Sequence, residues 1–176
     1  ADLVRQLRNA QASLLAAGES LYVGLLALTM ARHFLGAPVE GKMTPTLWVH
    51  LAPLSVIPLS MLALLKTTGD ASLLRYGSLV AAAFLGAALW WLVLAVSMTI
   101  RNRRQGKLPF ALSWWAFVFP IGACSVLAYR VSELLALEVL PLVASGLTLL
   151  ALFVWSATAL GTVRGIRTGA IFAPAH

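Results

Sequence analysis

Charge is scarce in this chain. Only 11% of its 176 residues are Asp, Glu, Lys or Arg, against roughly a quarter in an ordinary soluble domain. With 60% apolar residues and a mean hydropathy of +0.88, that scarcity excludes a water-facing globule and points to lipid as the solvent. Cysteine is nearly missing too. Cys124 stands alone inside an apolar run, so neither a disulfide nor a cysteine-based metal cluster forms within one chain. No catalytic cluster or metal-ligand spacing is present, so the reading is not an enzyme and implies no metal and no cofactor. The start, Ala1-Asp-Leu-Val-Arg5, lacks both a signal-peptide pattern and an initiator methionine. The chain is therefore expected to be a fragment or a processed product of a longer protein.

The charges that are present sit between long apolar runs. Uncharged stretches cover Met43 to Leu65 (23 residues), Tyr76 to Ile100 (25), Leu108 to Tyr129 (22) and Val139 to Val163 (25). The 23 residues between Arg8 and Arg32 carry one charge, Glu19. A spanning helix needs about 20 apolar residues. These runs are too long for barrel strands and do not alternate. Backbone groups in lipid must pair internally, which leaves helices. The fold expected is all-α and integral to the membrane, one transmembrane domain over 1–176. Its five spans fall at about 12–35, 45–65, 76–100, 109–129 and 139–163.

The net charge of +7 is not gathered in one patch, so topology explains it better than a nucleic-acid partner. One side collects Arg32, Lys42, Arg101, Arg103, Arg104, Lys107, Arg164 and Arg167; the other collects Arg5, Arg8, Lys66, Arg75 and Arg130. Eight against five places the first side, with the C-terminus, in the cytoplasm. A multi-pass protein of the cell (plasma or inner) membrane is expected. Two helices leave that side after a lysine and a proline: Lys42-Met-Thr-Pro45-Thr-Leu-Trp48-Val-His-Leu-Ala-Pro53, and Lys107-Leu-Pro109-Phe-Ala-Leu-Ser-Trp114-Trp115-Ala-Phe-Val-Phe119-Pro120. Each has proline in its expected first turn, where a missing N–H costs nothing, and another mid-helix. The returning helices, 76–100 and 139–163, lack an internal proline through most of their length. This makes a quasi-repeated hairpin, kinked outward and straighter on return. A kinking proline frees a carbonyl that protein or a water-filled cavity must satisfy.

The stretch Phe110-Ala-Leu-Ser-Trp-Trp-Ala-Phe-Val-Phe-Pro-Ile-Gly-Ala123 resembles a signature near the end of the tellurite-resistance and dicarboxylate transporter family. That family includes the slow anion channels of plant guard cells and fungal sulfite and malate exporters. Pro45-Thr-Leu-Trp-Val-His-Leu-Ala-Pro53 looks like an earlier helix of the same family. The resemblance implies half of a ten-helix channel built from five hairpins, with the kinked odd-numbered helices around a central pore. It implies a gated path for small anions or dicarboxylates such as malate, sulfite and tellurite-type oxyanions. It further implies a missing N-terminal half or second chain, and possible homotrimers with one pore per subunit. The competing function is a non-transporting anchor or scaffold subunit.

By the same resemblance the gate is Phe119 beside Pro120. Ala116, Phe119 and Ala123 share a helix face at spacings of three and four, so one ring stands among small residues. Phe117 is the rival ring, on another face. His50 and Pro53 are further pore-lining candidates; a polar group inside a span is costly and usually faces the protein interior. Glu19 is read as interfacial, a turn or two from the end of its span. The tryptophans read as interface and packing residues, and Gly77, Gly86, Gly146 and Gly161 as points of close helix approach. The four strong spans hold no fixed positive charge, which favours a channel-like path over a proton-coupled carrier. A chain of this composition stays with the bilayer through alkaline extraction; recovery in the aqueous fraction without detergent contradicts the membrane assignment.

Overall fold

The computed structural model describes residues 2–36 and 44–169. Ala1, Lys42 and Met43, named above, lie outside them, as does everything after Gly169. Among the described residues there is no strand. The helices among the described residues are α1 (Asp2–Leu35), α2 (Thr44–Val49), α3 (Leu51–Lys66), α4 (Ala71–Arg104), α5 (Trp115–Leu135) and α6 (Leu140–Thr168), with a 3-10 turn at Leu112–Trp114. Five helical runs are long and apolar enough to cross a membrane: Arg5–Arg32, Thr44–Lys66, Ala71–Arg104, Leu112–Leu135 and Leu140–Thr168. The all-α membrane fold read from the sequence is the fold observed.

The connections set the antiparallel order. The Thr67 and Thr68 hydroxyls donate to the Leu64 and Leu65 carbonyls at the end of α3. Gly69 then takes a φ of +72°, a left-handed conformation that glycine adopts without a Cβ clash. Asp70 starts α4 by accepting from the backbone N–H groups of Ser72 (2.8 Å) and Leu73 (3.1 Å), the standard service of an N-cap carboxylate. At the far end, Arg101, Arg103 and Arg104 occupy the last turn of α4, where cations complement the helix dipole. So α4 runs through the basic segment instead of stopping at Ile100.

The two proline-bearing helices behave differently. Pro53 offers no N–H to the Val49 carbonyl, and the helix breaks there: α2 stops at Val49 and α3 restarts at Leu51. Pro58 lies inside α3 and Pro120 inside α5 without interrupting either. Pro109 precedes its helix, which opens at Leu112, so it does not occupy the first turn expected for it. The Pro109 carbonyl instead accepts from the Trp114 indole N–H at 3.1 Å.

Beside the break, neighbouring helices donate to the carbonyls of Leu47 and His50. The Trp91 indole of α4 donates to the Leu47 carbonyl at 2.7 Å, and the Tyr22 hydroxyl of α1 to the His50 carbonyl at 3.0 Å. The His50 carbonyl also receives the Leu54 N–H, at a long 3.5 Å.

Packing centres on α3, α4 and α5. Residues Ala81, Leu85, Ala88, Trp91 and Ala95 form the buried stripe of α4; its three alanines let backbones approach closely. Leu51 and Ser55 of α3 meet Ile121, Cys124 and Ala128 of α5 in the same core, with the Cys124 thiol hydrogen-bonded to the Ser55 side chain. α6 pairs with α5, where the Ser125 hydroxyl donates to the Ala144 carbonyl at 2.9 Å. A Cβ at Gly161 would strike the Phe110 ring, and one at Gly77 the Leu65 side chain, so these two glycines do mark close approach. α1 and α6 leave most of their large apolar side chains outside, including Leu14, Leu21, Leu28, Leu142, Leu149 and Phe153. Apolar surface on that scale is incompatible with water and normal against acyl chains.

Trp91→Phe keeps the ring and deletes the indole donor. An unsatisfied buried acceptor costs about 1–3 kcal/mol, so the variant should unfold at a clearly lower temperature in detergent. An unchanged midpoint would mean that this bond does not hold the break.

Candidate functional site

Of the residues expected to line a path, Pro53 lies on α3 and Ala116, Phe119, Pro120 and Ala123 on α5, and the structure adds neighbours to the faces that carry them. Pro53, Val56, Ser60 and Ala63 recur on one face of α3 at steps of three, four and three, and all are at least partly exposed. Phe119, Ala123 and Val126 recur on one face of α5 at steps of four and three, with Phe119 and Val126 exposed and Ala123 partly exposed. Ala116 stands one turn before Phe119 and is partly exposed. The opposite faces carry the buried residues: Leu51, Leu54, Ser55, Pro58 and Leu62 on α3, and Phe117, Pro120, Ile121, Cys124 and Ala128 on α5. Since α3 and α5 pack on each other and both pack on α4, their open faces run side by side, away from α4.

Phe117 and Phe119 show what a displacement of two residues does on a helix. Phe117 is 5% exposed and Phe119 is 65% exposed. The Phe117 ring meets Trp48 of α2 edge-on at 5.2 Å and Trp114 at 5.7 Å. Trp48 is fixed in turn by its indole N–H, which donates to Thr99 Oγ1 at 3.0 Å. The α2 entrance is tied to α4 once more by Asn102 Nδ2 donating to Thr44 Oγ1 at 2.7 Å, inside the protein. Phe117 is thus part of the core. Phe119 projects from the open face of α5, beside the buried Pro120.

His50 sits at the α2–α3 break. Its ring lies 5.1 Å from Trp91 and 6.1 Å from Tyr22. Neither ring partner belongs to α5, so His50 is not brought together with Phe119. Glu19 is half-exposed at the middle of the 28-residue run Arg5–Arg32, not near the end of a span. It lines an open groove of about 370 Å³ between α1, α3 and α4, with Tyr22, Leu54, Ile57 and Phe84. The shorter span read from the sequence left out the N-terminal turns of α1, and this moved Glu19 towards the interface. Among the described residues no group of three His, Cys, Asp or Glu stands close enough to hold a metal.

Several functional partners escaped the sequence reading. Tyr22 and Trp91 serve carbonyls 28 and 44 residues away, and Thr44 meets Asn102 across 58. No local spacing signals such pairs. The one available clue was that Pro53 obliges some donor to exist.

The described residues thus form a bundle of five membrane-length helical runs, one of them broken near a proline. A family model described as voltage-dependent anion channel matches residues 4–163. The chain belongs to this family. It is 31% identical over 156 residues to the uncharacterized transporter MJ0576 of Methanocaldococcus jannaschii, which covers 89% of this chain and 45% of that protein. It is 30% identical over 156 residues to a second uncharacterized transporter of the same organism, MJ0762, covering 89% of this chain and 46% of that one. The chain therefore spans a little under half the length of the curated relatives it matches. No solved structure matches it. Membership makes this a multi-pass membrane protein of a channel and transporter family, in line with the resemblance read from the Trp114 to Pro120 motif.

The two rings give opposite expectations for stability of this chain in detergent. Phe117→Ala should cost about 3–5 kcal/mol, the usual loss for a buried phenylalanine. Phe119→Ala should stay within about 0.5 kcal/mol, as for an exposed position. Thermal unfolding compares them; equal losses would remove the distinction between core ring and open-face ring.

Proposed function

We propose that this chain is one half of a gated anion channel or exporter, and that the open faces of α3 and α5 line its path. The observation carrying this reading is that Phe119, the most exposed large apolar side chain of α5 at 65%, stands on its open face between the small residues Ala116 and Ala123. A lipid-facing helix has no need of small residues; α6, with Leu142, Leu149 and Phe153 outward, is what a lipid-facing helix looks like here. Phe119 is the gate. Its ring closes a narrow lumen between Ala116 and Ala123, and swings aside about the bend that Pro120 permits by removing the hydrogen bond to the Ala116 carbonyl. Pro53 performs the corresponding service on the other hairpin, and His50 borders the break.

The remaining wall comes from the N-terminal half of a ten-helix protein, or from a second chain. Each subunit of a homotrimer would hold its own pore. The cargo is a small anion: malate, sulfite or a tellurite-type oxyanion. The Arg101–Lys107 segment faces the cytoplasm with the C-terminus, in the plasma or inner membrane, where clustered cations raise the local anion concentration.

In the full-length protein, Phe119→Ala should raise anion current by about tenfold, the effect of removing some 1.4 kcal/mol of barrier. An unchanged or lower current at normal expression would refute the gate.

A further inference from the structure

The open face of α5 does not end at Val126. Continuing the same steps of four and three brings Arg130 and then Glu133 onto it. The face of α3 continues from Ala63 to Lys66. These three charged side chains line one cavity of about 250 Å³ between α3, α4 and α5, walled otherwise mainly by leucines. Its volume is that of roughly eight waters. Arg130 Nη1 donates to Glu133 Oε2 at 2.9 Å, and both side chains are more than half exposed. Lys66 has no ion-pair partner among the described residues. Two cations against one carboxylate leave the cavity net positive.

From this we infer that Lys66 and Arg130 form an anion-binding vestibule at the end of the stripe opposite the Arg101–Lys107 segment, with Glu133 as its latch. The inference rests on the reading of the stripe as a conduction path. The ligand is a small oxyanion, a carboxylate or a sulfur oxyanion. Its oxygens take the forked N–H groups of Arg130 in place of Glu133, while Lys66 supplies a second charge from the facing helix. A guanidinium matches two oxygens of one planar group, which a halide does not offer. The exchange is easy because an exposed helical ion pair contributes only about 0–1 kcal/mol. The leucine wall keeps dielectric low on one side and strengthens the field at the mouth. Lys66 in the last turn of α3 also complements that helix's dipole. That role accounts for its charge but not for the arginine across the cavity.

The stripe has no fixed charge along Phe119, Ala123 and Val126, nor along Pro53, Val56, Ser60 and Ala63. A vestibule at its end solves a problem the stripe cannot solve itself. It gathers and selects anions where they are still hydrated, and leaves the narrow part free of a charge that would trap them.

The test is calorimetric titration of the purified full-length protein with malate, sulfite and chloride, alongside liposome flux of the same anions. Lys66→Gln and Arg130→Gln should each weaken malate and sulfite binding by about three- to tenfold. Arg130→Lys should retain chloride binding and lose the preference for oxyanions. Glu133→Gln should tighten oxyanion binding, a gain that misfolding cannot produce. All these differences should shrink in 1 M salt, where the screening length falls to about 3 Å. Absent binding, or binding indifferent to all four substitutions, overturns the vestibule whatever the flux shows. Vestibule binding without flux of any anion upholds the site and refutes the conduction path instead.

Discussion

Two backbone carbonyls at the α2–α3 break, those of Leu47 and His50, accept hydrogen bonds from Trp91 and Tyr22. Inside a bilayer there is no water to take an orphaned carbonyl, and leaving one unpaired costs several kcal/mol. The carbonyl that Pro53 itself frees is that of Val49, and α1 and α4 bring their donors to the carbonyls on either side of it. These bonds fix where α1 and α4 stand relative to α3. They also set α2 so that Trp48 reaches both Thr99 and the Phe117 ring. Through Phe117 the broken helix seats α5, and through Ser125 and Ala144 α5 seats α6.

Once α5 is seated by one face, the other is left open. Phe117 and Pro120 turn inward, and Phe119 turns outward with Ala123 and Val126. The same division operates on α3, with Ser55 inward against Cys124 and Ser60 outward. The buried faces are well packed, and the open faces end in charge at Lys66 and Arg130. α1 and α6, with bulky apolar surfaces, belong to the lipid. The division of labour follows from which side of each helix the core consumes.

Much of this was legible in the sequence. Five apolar runs separated by charges could only be membrane helices, and the motif around Trp114 and Phe119-Pro120 pointed to the right family. The two rings weighed as the gate differ in exposure, Phe119 lying outside the core and Phe117 inside it. What was not legible depended on tertiary partners. Nothing near Tyr22 shows that its hydroxyl serves a carbonyl 28 residues on. Pro109 looked like a helix start, yet Trp114 captures its carbonyl and holds it outside the helix. Glu19 looked interfacial because the polar residues before it hid how far α1 continues. Arg130 and Lys66 were counted only as topology charges, since one lies on α5 and the other at the end of α3. Only packing brings them to one cavity with Glu133.

The central claim is that the α3–α5 open face borders water, not acyl chains. Single cysteines introduced at Phe119, Ala123 and Val126 of the full-length protein test it, with Leu149 and Phe153 of α6 as lipid-facing references. The native Cys124 is fully buried and stays silent. Positions 119, 123 and 126 should react with a membrane-impermeant, water-soluble thiol reagent, and 149 and 153 should not. If 119, 123 and 126 resist that reagent as 149 and 153 do, and spin labels placed there report a lipid environment, the path does not run along this face.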